Sequence, residues 1–296
     1  MLAACSAQNN KTTTGFQGAY LGQQPPGLEP QLFAPGVVST AANEAGSVFT
    51  PDGRQLYFAR FKPGRGYELM HMELLPEGWT APGKALFASS YSEVDPFITP
   101  DGRRLYYLSK RPLSDGGPRS SNYQIWVVER QGREWINPRP LMPPVNGPTR
   151  QLYPTLTSGG VLYFNSTRDG FGRGDLFRAS PSGDGFGEIE NLGPAVNSEY
   201  DETDVLVAPD QSYIIYTAVD KPGGLGGGDL YISFRGADNA WTAARHMGSA
   251  INSSASDFCP ALSPDGKYLF FTSGRRGSDD VYWVDRAVID QFRPGS

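Results

Sequence analysis

Aligned on a recurrent Pro-Asp-Gly turn, the chain places one acid or amide eight residues upstream of each turn position: Glu44, Glu93, Gln151, Glu202 and Asp257. Carboxylates that converge from separate segments suit a hard cation such as calcium, or paired acid–base chemistry on a sugar. A second column follows the apolar strand after each turn, Arg111, Arg168 and Arg275, broken by Asp220. A third reads Asp175, Asp229 and Asp279 or Asp280, with Asn122 or Gln124 in the second copy. Antiparallel pairing would bring the three columns to one face. The expectation is a polar, net acidic channel mouth for a cation or polyhydroxylated ligand, formed by Glu44, Glu93, Asp95, Gln151, Glu202, Asp204, Asp257, Arg111, Arg168 and Arg275. A competing reading makes the basic column structural, pairing Arg168 with Asp175 and Arg275 with Asp279 to lock loops. The fourth copy is the most asymmetric, with Tyr200-Asp201-Glu202-Thr203-Asp204 and a loop from Gly223 to Gly228. A special site is therefore expected near Glu202, Asp204 and Asp95, against the reading of a solvated acidic loop.

Other catalytic sets are scarce. His71 and His246 lie on different strands without a nucleophile motif, and neither G-x-S-x-G nor H-E-x-x-H occurs. The glycine loop departs from G-x-G-x-x-G because Asp229 stands at the last position, so its expected role is a turn with positive backbone angles. Cys259 aligns with Asp95 and follows Phe258, which points to a buried, inert thiol.

The elements that position these residues repeat. FTPDGRQLYFAR surrounds Asp52, ITPDGRRLYYLSKR surrounds Asp101 and LSPDGKYLFFTSGR surrounds Asp265, with degraded copies around Gly159 and Asp210. A period of about fifty residues built from strand-like segments marks a propeller or solenoid. With 36 Gly, 25 Pro and only 19% charged residues, the composition favours short strands joined by tight turns. Four short strands per copy, the second strongly apolar, is the content of one propeller blade. The predicted fold is all-β: a five-bladed β-propeller of four-stranded blades. The fifth copy lacks an outer strand, and Pro30-Gln31-Leu32-Phe33-Ala34-Pro35 is expected to supply it and close the ring. Arg286 to Phe292 reads as a short helix on the rim. The division is residues 1–29 as a tether and 30–296 as one propeller domain.

Leu2-Ala3-Ala4-Cys5 resembles a bacterial lipobox, in which Cys5 would be lipidated, and the polar stretch 6–15 would be a flexible tether. A net charge of −5 argues against nucleic acid as a partner. No apolar run approaches the ~18 residues a membrane span needs.

The Pro-Asp-Gly repeats, Gly226-Gly227-Gly228-Asp229-Leu230-Tyr231, and the spacers Asn197-Ser198 and Asn252-Ser253 together resemble the TolB-type, WD-repeat-like propellers of bacterial envelopes. The resemblance covers roughly residues 30–285. It implies a periplasmic or outer-membrane protein, a monomer, attached to membrane only through its lipid. The function this suggests is non-enzymatic binding of an envelope protein or glycan, with no cofactor unless calcium. The alternative is a carbohydrate-active enzyme, a hydrolase or lyase, using carboxylates at the channel mouth.

Overall fold

At each Pro-Asp-Gly turn the chain reverses around the aspartate. Asp52 Oδ1 accepts the Thr50 hydroxyl (2.5 Å) and the Arg54 N–H (3.1 Å), and Gly53 takes the positive φ of 66° that the turn requires. Asp101 and Asp265 repeat the arrangement with Thr99 and Ser263. These turns join innermost strands to strongly apolar second strands, and a computed structural model describes the result for residues 13–295. Cys5 and its lipobox-like context lie outside the described residues.

The innermost strands are Glu44–Phe49, Glu93–Ile98, Gln151–Leu156, Asp201–Val207 and Asp257–Leu262. The second strands, Gln55–Lys62, Arg104–Ser109, Leu162–Ser166, Tyr213–Val219 and Tyr268–Ser273, pair antiparallel to them, and a third strand pairs outside each. The five sheets stand in a ring, each inner strand packed against the next and the fifth against the first. The molecule is a five-bladed β-propeller. In the fifth sheet the outer strand is Gln31–Leu32, with Leu32 opposite Tyr282, and Phe33 N donates to Val281 O at 2.8 Å. Arg286–Phe292 forms a 3-10 helix that buries Val288 and Ile289 against the fourth and fifth blades.

Neighbouring blades are tied by side chains that imitate a strand. The amides of Asn146, Asn197 and Asn252 each accept the N–H and donate to the C=O of one third-strand residue in the preceding blade. Those residues are Ile125, Leu176 and Leu230, at 2.8–3.0 Å. Ser39 does the same to Val281 with its hydroxyl. Buried backbone groups at a sheet edge need such partners.

Every innermost strand is broken by a β-bulge at one position. The register shifts between Ala45 and Ser47, Val94 and Phe97, Leu152 and Thr155, Thr203 and Leu206, and Phe258 and Ala261. The bulged residues Gly46, Asp95, Tyr153, Asp204 and Cys259 all have φ between 50° and 54°. Pro96, Pro154 and Pro260 follow three of them, where the interrupted ladder does not need an N–H.

Candidate functional site

The column eight residues before each turn does not open into the channel. Glu44, Glu93, Gln151, Glu202 and Asp257 are each 0–1% exposed. Each is held by the loop before its own strand and by a cation from the end of its own second strand. Glu93 accepts the Ser89 N–H (2.9 Å), the hydroxyls of Ser89 (2.7 Å) and Ser109 (3.0 Å), and Arg111 Nε (2.7 Å). Arg111 in turn donates to Phe87 O and lies over the Trp126 ring. Glu44 pairs likewise with Thr40 and Arg60, Asp257 with Ser253 and Arg275, and Glu202 with Ser198 and, at 3.8 Å, Lys221. All five cations sit over an aromatic ring of their blade.

The expected acidic mouth is thus resolved into five internal clamps, because a carboxylate that has lost water needs a cation and hydrogen bonds in its place. Arg60 and Lys221 escaped the sequence alignment because they stand at a different distance from the turn than Arg111, Arg168 and Arg275. The pairings Arg168–Asp175 and Arg275–Asp279 are replaced by Arg168–Gln151 (3.2 Å) and Arg275–Asp257 (2.8 Å). The third blade is the exception: Gln151 is neutral, and burial alone holds the Arg168 guanidinium below its usual range.

The third column is also inward. Asp175 accepts the N–H groups of Phe171 and Gly172 and the Asn191 amide, while Asp229 accepts those of Leu225 and Gly226. The glycine loop differs from expectation. Only Gly223 has a positive φ, whereas a Cβ on Gly226 would strike the Ala255 carbonyl of the next blade. Close approach, not turn geometry, demands glycine there.

The bulged residues are what reach the axis. Cys259 Sγ donates to Asp95 Oδ1 at 3.6 Å, and Tyr153 Oη donates to Pro260 O at 2.8 Å. Blade five adjoins neither blade two nor blade three, so both contacts cross the channel and close it at mid-height. Asp204 accepts the Thr203 and Thr217 hydroxyls and the Cys259 N–H. Burial, then the neighbouring Asp204 charge, pushes the Asp95 carboxyl well above the usual carboxylate range. Burial raises Asp204 to about 6, and burial with both carboxylates raises the Cys259 thiol. The thiol is free and buried, as its context suggested. Asp95 and Asp204, singled out for asymmetry, are therefore brought together, while Glu202 of the same cluster is clamped inside its blade.

Below this plug the channel widens into a cavity of 510 Å³ that opens at the face of the Pro-Asp-Gly turns, opposite the expected mouth. Asp95 and Tyr153 form its floor. Its walls are mainly apolar, including Phe97, Leu156, Leu206 and Leu262, and the prolines of the turns surround its rim. None of the five clamped acid or amide residues lines it. Sequence pattern could have located it: six residues before each turn the residue type changes from blade to blade, as a site at the axis requires and a repeated brace does not. Among the described residues no group of three or more His, Cys, Asp or Glu is arranged to hold a metal ion.

The fold and this axial cavity define a β-propeller with a ligand-sized central pocket. No known protein family and no curated protein matches the chain. Among solved structures it is similar to a glycoside hydrolase, 12% identical with a TM-score of 0.59, over 93% of this chain and 92% of that one. It also resembles the putative TolB from Agrobacterium tumefaciens (18% identity, TM-score 0.49, 78% of this chain and 70% of that). TolB from Acinetobacter baumannii is similar at 16% identity and TM-score 0.49, over 83% of this chain and 55% of that. At such identities the likeness concerns the propeller fold alone.

Proposed function

We propose that this protein is a non-enzymatic binding propeller of the bacterial envelope that receives a segment of a partner polypeptide in its axial cavity. The observation that carries the reading is the cavity itself. It has the volume and mostly apolar lining typical of binding pockets, with a few polar groups at its floor and mouth. The clamped carboxylates are occupied within their blades, which argues against a glycan or calcium at the opposite mouth. Leu2-Ala3-Ala4-Cys5 supports the envelope assignment, with Cys5 as the lipid attachment point.

A photo-crosslinking amino acid at Ser212, on the cavity wall, should capture a discrete partner in cells. The same group at Lys84, on an outer strand, should not. Equal labelling from both positions, or none from Ser212, would sink this reading.

One observation favours an enzyme instead. Asp95 and Asp204 are buried carboxylates from separate blades whose environments push their proton affinities up unequally, a feature of acid–base pairs. On that reading the purified protein turns over a carbohydrate and loses activity as Asp95→Asn and as Asp204→Asn while still folded. Failure of a broad panel of glycans to be cleaved would leave the binding reading standing.

A further inference from the structure

Asp95 is unlike every other buried acid described so far. The clamped carboxylates hold three or more hydrogen bonds or a cation, and Asp204 has two hydroxyls and an N–H. Asp95 is 7% exposed, and among the described residues its one side-chain hydrogen-bond partner is the Cys259 thiol, a weak donor at 3.6 Å. It stands at the floor of an apolar cavity with open space in front of it. A buried carboxylate left so poorly paired is costly, and the structure tolerates it at an axial position that lines the cavity.

We infer that the cavity takes a primary ammonium group on an apolar stem, seated on the Asp95 carboxylate. The inference rests on the cavity being the binding site, and it names the ligand chemistry: a lysine side chain of the partner segment presents this group. The apolar walls suit the methylene stem, which would otherwise be exposed to water. The ammonium would supply both the charge and the donors that Asp95 lacks. Tyr153 beside it offers its ring, with its hydroxyl already committed to Pro260 O.

The groups that face Asp95 are Asp204, Cys259, Tyr153, Tyr67 and Tyr123, all acidic and none cationic. At the mouth, Asp210, Arg286 and Arg293 bear charge; Arg293 pairs with Asp290 at 2.8 Å. With no cation in place Asp95 holds its proton more firmly than an ordinary carboxyl. Seating an ammonium therefore expels up to one proton to solvent, and affinity rises with pH until the amine itself deprotonates, near pH 10.4 for lysine.

The experiment compares butylammonium with 1-butanol by chemical-shift titration of the full chain, the Asp95→Asn variant and the Ser212→Trp variant. Asparagine is nearly isosteric and tolerates the positive φ at position 95. Melting curves confirm that each variant folds. In the wild type at pH 8 butylammonium should bind about tenfold or more tightly than butanol, the worth of a buried charge-assisted hydrogen bond. The preference should shrink at pH 6 and vanish in Asp95→Asn, where butanol binding persists. Equal binding of the two probes by the wild type, no binding of either, or a preference that survives in Asp95→Asn would overturn the inference. Binding of both probes undiminished in Ser212→Trp would show instead that the cavity is not the site, and the functional reading above would fall with it.

Discussion

If the carboxylate columns are internal braces, removing one carboxylate should cost stability and nothing specific to a ligand. Glu93→Ala is the sharpest case. The side chain is 1% exposed and accepts four hydrogen bonds, one from the Arg111 guanidinium, which is itself 12% exposed. Truncation strands that cation, the Ser89 N–H and two hydroxyls away from water. Breaking a buried pair from one side costs about 3–5 kcal/mol, or roughly 6–15 °C in Tm for a domain of this size. Arg111 keeps its bond to Phe87 O and its place over Trp126, which holds the loss toward the lower figure. The assay is a double-mutant cycle with Glu93→Ala, Arg111→Met and the double variant, read by denaturant unfolding. Removing both charges should recover about 2 kcal/mol or more of the summed losses. A Glu93→Ala protein within about 1 kcal/mol of wild type, or strictly additive losses, would refute the clamp. The third blade supplies a converse. Gln151 Nε2 donates to Thr149 O at 2.9 Å, so Gln151→Glu would set a carboxylate oxygen against a carbonyl. It should lower Tm despite adding a partner for Arg168.

Three further perturbations test other parts of the structure. Asp204 holds its proton more tightly folded than unfolded, so the folded state binds more protons between about pH 4 and about pH 6 and stability falls as pH rises through that window. The fall should be of order 2–3 kcal/mol and should disappear in Asp204→Asn, seen as a gain in Tm at pH 7 that is absent at pH 4. Gly226→Ala should lose about 2 kcal/mol or more by driving a methyl into the Ala255 carbonyl, whereas Gly223→Ala, with space around it, should lose only the cost of its φ of 87°. Phe33→Ala should cost about 3–5 kcal/mol in an unfolding titration, because the fully buried ring packs on Phe270 and Trp283 of the fifth blade. A wild-type midpoint would mean that the segment before residue 40 contributes little to that blade.

Much of the architecture could be read from residue order alone. The Pro-Asp-Gly turns encode local reversals through the aspartate side chain and glycine, and the apolar runs after them encode strands, because both depend on neighbours in the chain. Five copies give five blades, and the tail at 286–292 forms the short helix its composition suggested. Where the carboxylates point was decided by tertiary structure. In an unbroken strand Glu93 and Asp95 would project from the same face. The bulge at position 95 separates them, sending Glu93 into its blade and Asp95 to the axis. A positive φ at Gly46 could be guessed, but nothing local announces it at Tyr153 or Cys259, where the packing of five strands around one axis imposes it. The same crowding lets Cys259 and Tyr153 reach across the ring, closing the channel above the cavity. The reason is that pairing across the axis joins residues 107 and 164 positions apart, which only the closed ring brings together.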